Sequence, residues 1–473
     1  MYLPVSPTIP ASTNTQTSFA SQVQTSELIV NNTLSLFGTA AVGQQNVYPS
    51  FESILSVLQS LGLVSNIISI ISYVQVQEVI GTGGEGGNIQ QGTSVAVSGD
   101  GSTLAIGAWQ DNSAVGATWI FGKDTDGSWS QRGSKLVGSS AASPSFQGFS
   151  VSLSYDGTVL AVGGFRDNGY IGSTWIFVNS GGSWGEDAKL IGSGASGPAY
   201  QGCSVSVSGD GQRVAIGALN DNNLIGCTFV FVRGDGWVQE AQLIGTGYDG
   251  TDIEQGTSVA LNYDGSTLAV GAPWDGFAST SVTLGATWIF TRTDSTWTQQ
   301  GSKLVGSGYE GNDIEQGTSV ALSADGSTLA VGAPWDNSEI SGDPLGATWI
   351  FVRDTAGVWS QQGSKLVGSG YIGTDIAQGH VVSLTSDGST LAVGGPSDDG
   401  QTGATWIFVR DSGGSWSQLG SKLVGTGYIK VDPYNVMQGS GVSLTADGSE
   451  LFTGGPNNDN LVGAVWIFQR ESS

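Results

Sequence analysis

The chain has 473 residues, enough for several ordinary domains or one large closed array. Its 75 glycines and a charged fraction of only 12% exclude a coiled coil or a helical bundle, because glycine weakens helix interiors and long exposed helices need charge. Forty acidic residues against fifteen basic ones give a net charge of −25, which argues against a nucleic-acid partner and against an anionic membrane surface.

Residues 1–79 hold no Lys or Arg and three acids, Glu27, Glu52 and Glu78. The first stretch is rich in Pro, Ser and Thr and reads as an extended or disordered arm. It lacks the basic and then apolar pattern of a secretory signal. Alternating apolar residues around Asn31-Asn32 predict a hairpin. Phe51, Ile54, Leu55, Leu58 and Leu61 have helical spacing. Residues 53–77 carry no charge, which raises a membrane span. Five serines, Gln59, Asn66 and Gly62, with no basic residue at either end, favour a packing or assembly segment instead. Residues 1–72 are therefore read as an arm that anchors or oligomerises the protein.

From residue 80 onward the chain repeats. The Asp of an Asp-Gly turn recurs at Asp100, Asp156, Asp210, Asp264, Asp325, Asp387 and Asp447. Each unit carries four strand signals, with Asp-Gly between the first two. Seven units of four strands predict an all-β, seven-bladed β-propeller over residues 73–473. Bulky and small residues alternate in the first two strands, as at Val95 and Val97 against Ala96, so that neighbouring blades can interlock. The third strand is apolar on both faces and carries Trp119, Trp175, Trp288, Trp349, Trp406 or Trp466. The last unit ends after its third strand. The segment 73–83 matches the missing fourth strand and is expected to close the ring. Cys203 and Cys227 fall on the first and third strands of one blade, too far apart for a disulfide.

Unit by unit, residues 84–468 resemble the FG-GAP repeat of the integrin α-subunit propeller. The likeness rests on the S-V-A strand, the D-G turn and the G-A-P strand end, literal at Gly271-Ala272-Pro273 and Gly332-Ala333-Pro334. It implies a seven-bladed propeller that binds partners. Two features depart from the family: Gln-Gly, as at Gln255-Gly256, replaces Phe-Gly, and the family's Asp-rich calcium hairpin is reduced to one Asp per turn. One carboxylate supplies too few of the six to eight oxygens calcium takes. No cofactor is therefore expected, with calcium held between loops left open.

Strand direction places the second-to-third loops and the blade-to-blade connections on one face. That face carries Trp109, Asp111, Trp274, Asp275, Trp335 and Asp336 on its loops, with Tyr309 and Tyr371 on its connections. Aromatic rings beside carboxylates suit sugar stacking, a basic protein partner or calcium. The repeated Lys135, Lys303, Lys365 and Lys422 read as a solvated outer edge that pairs with acids and discourages sheet association. His380 replaces a repeat Thr, and no nucleophile motif accompanies it. There is no G-x-S-x-G, Walker loop or H-E-x-x-H. The leading reading is a non-enzymatic structural or interaction protein, displayed on a cell or virion surface for protein or glycan binding. A soluble carbohydrate-binding lectin is the first alternative and a glycoside hydrolase the second.

Overall fold

Alternation along the first two strands of each repeat gives them one bulky and one thin face, and the third strand is bulky on both, a pattern that builds the blades. The computed structural model describes residues 40–42, 45–47, 72–276, 282–336 and 343–471. The chain divides into two units, Met1–Ile70 and Ile71–Ser472. In the first, Ala40–Val42 pairs antiparallel with Gln45–Val47. The hairpin expected at Asn31-Asn32 and the helical spacing of residues 51–61 lie outside the described residues. No helix among the described residues is long and apolar enough to cross a membrane.

The second unit is a seven-bladed β-propeller of four-stranded antiparallel blades. Blade 1 comprises Ser94–Val97, Thr103–Ala108, Ala117–Lys123 and Trp129–Gln131. Blades 2 to 6 repeat this order. Blade 7 takes Gly441–Leu444, Glu450–Gly455 and Ala464–Arg470 from the C-terminal end and Tyr73–Val79 from the N-terminal side. Tyr73 stands opposite Arg470 and Val79 opposite Val465, which is the closure the missing strand predicts. The seam with blade 1 is secured further. Buried Glu450 meets Lys123 at 2.7 Å, and the Trp129 and Phe452 rings pack edge to face with centroids 5.2 Å apart.

The first strands touch one another in a closed inner ring. At each of the seven seams a glycine ending one blade's second-to-third loop pairs in parallel with the next blade's Gln, as in Gly116 with Gln147 and Gly285 with Gln316. Gly116 sits at φ +80°, and a Cβ there would lie 2.0 Å from the Gln147 carbonyl oxygen, so only glycine fits.

The third-strand tryptophans lock the blades from outside. Trp119 is fully buried, and a side chain on Gly81 would meet its indole at 2.2 Å. Its Nε1 donates to the Thr82 carbonyl at 2.7 Å. Gly81 follows the outer strand of blade 7, so this tryptophan clamps its own blade to the preceding one. The same Gly–Trp contact recurs at Gly138, Gly245, Gly306, Gly368 and Gly425, with Phe229 against Gly192 in blade 3. Cys203 and Cys227 are buried free thiols. Burial raises both, the Cys203 thiol to about 11 and that of Cys227 further.

Candidate binding face

The Gln of each Gln-Gly is a strut. The Gln91 side chain accepts from the Gly81 N–H at 2.6 Å and donates back to the Gly81 carbonyl at 2.9 Å. Gln147, Gln201, Gln255, Gln316, Gln378 and Gln438 make the same two bonds to Gly138, Gly192, Gly245, Gly306, Gly368 and Gly425. A buried primary amide thus satisfies both the N–H and the carbonyl of one glycine, which lies outside the strand ladders.

A second strut uses the loop carboxylates. Asp111 is buried; its Oδ1 accepts from the Glu85 N–H at 2.7 Å and its Oδ2 from Lys135 Nζ at 2.5 Å. Asp167 meets the Ala142 N–H and Lys189 in the same way. Asp275 binds the Asp249 N–H and Lys303, Asp336 the Glu310 N–H and Lys365, and Asp398 the Ile372 N–H and Lys422. In blade 3, Gln242 stands in for the lysine and donates to Asp221. Blade 7 inverts the donor and acceptor roles: Asn458 accepts from the Ile429 N–H, and its neutral amide faces the Glu78 carboxylate at 3.5 Å. Each strut ties the loop, the incoming connection and the outer strand of one blade together.

Two sequence expectations change here. Asp275 and Asp336 follow the exposed Trp274 and Trp335 in the chain, yet they and Asp111 are buried with both oxygens engaged. Lys135, Lys303, Lys365 and Lys422 are not a solvated edge, since each is mostly covered and directed at a buried carboxylate. Burial drives the Lys135 ammonium down, but its bonds to Asp111 and Glu85 outweigh that and hold it above the ordinary lysine range.

After the Asp, the loops of blades 1, 2, 3, 6 and 7 make a turn of left-handed backbone, such as Asn112, Ser113 and Ala114 at φ 49°, 56° and 67°. Non-glycine residues adopt this conformation at a cost, least for Asn and Asp. The strut carboxylate, together with the Gly116 N–H donating to the Asp111 carbonyl at 2.9 Å, holds the turn in place.

The hairpin carboxylates are also engaged. Asp325 accepts from the Ser323 hydroxyl at 2.6 Å and from the Ser327 N–H at 2.9 Å. Burial pushes its carboxyl up, but these bonds prevail and keep it below the usual carboxylate range. Among the described residues no group of three or more His, Cys, Asp or Glu side chains is placed to hold a metal ion.

The aromatic candidates separate into two sets. Trp274 and Trp335 are 38% and 40% exposed, and Tyr309 and Tyr371 are each 39% exposed. Tyr248 joins them at 40%. The struts bring the Tyr248 connection to the Trp274 loop and the Tyr309 connection to the Trp335 loop, so the rings follow one another around one face of blades 4 to 6. Trp109 is elsewhere and half-buried. Its ring centroid lies 4.5 Å from that of Phe146 and 6.4 Å from that of Phe149. Phe165, Tyr200 and Tyr170 continue this cluster across blades 2 and 3. A signal for it stands in the sequence as departures from the repeat. Trp109 and Phe165 replace the Pro of G-A-P, and Phe149 replaces the Thr of Q-G-T.

The residue before each strut Gln has φ between 58° and 63° and sits beside the inner strands. It is Phe146 in blade 2 and Tyr200 in blade 3, but Glu254 in blade 4 and Glu315 in blade 5. Burial, with repulsion from Asp252, lifts Glu254 to about 7. Burial, with Asp313 and Glu254 nearby, lifts Glu315 to about 7. His380 is exposed, and partial desolvation lowers its pKa. This position is therefore aromatic in blades 2 and 3 and acidic in blades 4 and 5. No protein-family model matches the chain, and no curated protein is significantly similar to it.

Proposed function

We propose that this propeller is a non-enzymatic interaction protein that engages a protein partner or glycan through the loop face of blades 4 to 6. The observation that carries the proposal is the succession of exposed rings, Tyr248, Trp274, Tyr309, Trp335 and Tyr371, on a rigid hydrogen-bonded frame. Large aromatic side chains left exposed on a rigid surface are the usual anchors of recognition. A non-enzymatic role is supported by the carboxylates the repeat supplies, which are spent on struts and turns. The likeness to FG-GAP repeats points the same way, towards partner binding. Display on a cell or virion surface, with residues 1–72 as the anchoring or oligomerising arm, completes the proposal. No cofactor enters it.

The test replaces Trp274 and Trp335 with alanine together and measures binding on a glycan array and to the native assembly. Loss of two anchors is expected to weaken binding by about thirtyfold or more. Neither ring packs in a blade core, so the melting temperature should hold. A lectin would show the loss against free sugars, and a structural protein only against its assembly. A double variant that binds and assembles like wild type overturns the proposal.

A further inference from the structure

Most arginines of the chain have an oxygen partner. Arg132 faces Asp124, Arg213 and Arg292 share Glu240, and Arg233 faces Asp187. Arg353 and Arg410 donate to the turn carbonyls of Asp325 and Asp387. Arg166 has neither kind of partner among the described residues. Its guanidinium lies 4.3 Å over the Phe146 ring, 5.4 Å from that of Tyr170 and 5.8 Å from that of Phe165. Its Nε is buried and makes no hydrogen bond. Cation–π contact contributes about 0.5–2 kcal/mol and supplies no acceptor for the buried Nε–H. No ion pair joins this guanidinium to an acid among the described residues, although the chain carries 40 acids against 15 bases.

The surroundings define what could fill that gap. Tyr170 is 40% exposed and Tyr200 half-buried, with ring centroids 5.7 Å apart. The Tyr200 N–H donates to the Tyr170 carbonyl at 3.0 Å, which fixes their spacing. Two residues before Tyr200 in the chain, Pro198 lines a groove of about 360 Å³ together with Ser196, Asn220, Asn223 and Leu224. The groove supplies amides and a hydroxyl, the rings supply stacking faces, and the guanidinium supplies a planar two-pronged donor.

We infer that the Arg166 cluster and the adjoining groove form a binding site for an acidic sugar residue, a pyranose bearing one carboxylate. The carboxylate takes the terminal nitrogens of Arg166, the sugar ring lies against Tyr170 and Tyr200, and hydroxyls reach the amides of the groove. The surrounding net charge of −25 repels polyanions, so the site selects a single isolated carboxylate over a run of them. This site lies on blades 2 and 3 and is independent of the rings of blades 4 to 6.

Ligand-observed NMR titration of the full chain tests it, with methyl glucuronide, the methyl glycoside of N-acetylneuraminic acid, neutral methyl glucoside and N-acetylphenylalaninate as probes. An acidic glycoside should bind and the neutral one should not. Arg166→Gln should weaken the acidic glycoside by about tenfold or more, or 1.4 kcal/mol. Tyr200→Ala should weaken it as well, which keeps the test decisive if Arg166→Gln folds poorly. Trp274→Ala with Trp335→Ala should leave it unchanged. Equal binding of acidic and neutral glycosides, absence of binding, or an unaffected folded Arg166→Gln variant overturns the site. N-acetylphenylalaninate binding more tightly than either sugar overturns the assignment to a glycan and points to a peptide carboxylate.

Discussion

Trp274 and Asp275 are neighbours in sequence and opposites in the structure. Asp275 is 1% exposed and joins a connection, a loop and an outer strand; Trp274 is 38% exposed. Asp336 and Trp335 divide in the same way. In this propeller the constant position of the repeat maintains the blade, and the position beside it is free to vary. It is Gln110, Arg166, Asn220, Trp274, Trp335, Ser397 and Asn457 in successive blades. A repeat protein gains a specific surface in this way without altering its frame.

Changes to the frame should therefore cost stability, and changes to its neighbours should cost binding alone. The largest effect is expected at the ring's closure. Removing residues 1–83 strips Tyr73–Val79 from Ala464–Arg470 and exposes an unpaired strand edge. Calorimetry should show cooperative melting lost or sharply lowered, whereas removal of residues 1–70 alone should leave the propeller transition in place. Next is Trp119→Ala. It empties a fully buried site at a blade seam and should cost about 3–5 kcal/mol in denaturant unfolding. The equivalent change at Trp274 should cost almost nothing.

The inverted strut of blade 7 gives a sharper test. Burial already lifts the Glu78 carboxyl above its ordinary value. Asn458→Asp would set a second carboxylate against it and should cost about 2–3 kcal/mol near neutral pH. The loss should shrink as the pH falls, because one protonated carboxyl can donate to the other. Adding Glu78→Lys recreates the arrangement of the other blades and should restore most of the stability. Failure of that rescue would show that the Asp–Lys pairs do not act as struts.

The smallest effect is expected at Glu254 and Glu315. Their carboxyls titrate near about 7 in the folded protein against 4.5 ordinarily. Between those values the native state holds protons that the unfolded chain has released. Their contribution is fully present below the lower value and is lost as the pH rises through the upper one. Both side chains are partly exposed, so solvent screening discounts the shift, and Glu254→Gln and Glu315→Gln should each stabilise the protein by about 1 kcal/mol above the upper value and have little effect below the lower one. A pH-independent effect would contradict this.

Much of the fold was legible because it repeats. Seven Asp-Gly turns counted the blades, six tryptophans marked the buried third strands, and a unit lacking its last strand located the closure. The struts were harder to read. Asp336 and its lysine are 29 residues apart, and nothing local shows that they meet inside one blade. Beside Trp335 in the sequence, the Asp resembled half of a recognition pair. The glutamines were plain in the sequence as a fixed position before Gly, but their bonds run to a glycine 9 to 13 residues earlier. The Arg166 cluster escaped notice because repetition draws attention to what recurs, and this cluster consists of what does not.

The most direct measurement pairs stability with binding in two variants of adjacent residues. Trp274→Ala with Trp335→Ala and, separately, Asp275→Ala with Asp336→Ala are compared for melting temperature and for affinity towards the same glycan or assembly partner. The tryptophan variant should melt like wild type and lose about thirtyfold or more in affinity. The aspartate variant, with two lysines left uncompensated, should melt well below wild type while the fraction that remains folded still binds. Full affinity in the tryptophan variant, or wild-type melting in the aspartate variant, would contradict the division of this face into frame and binding surface.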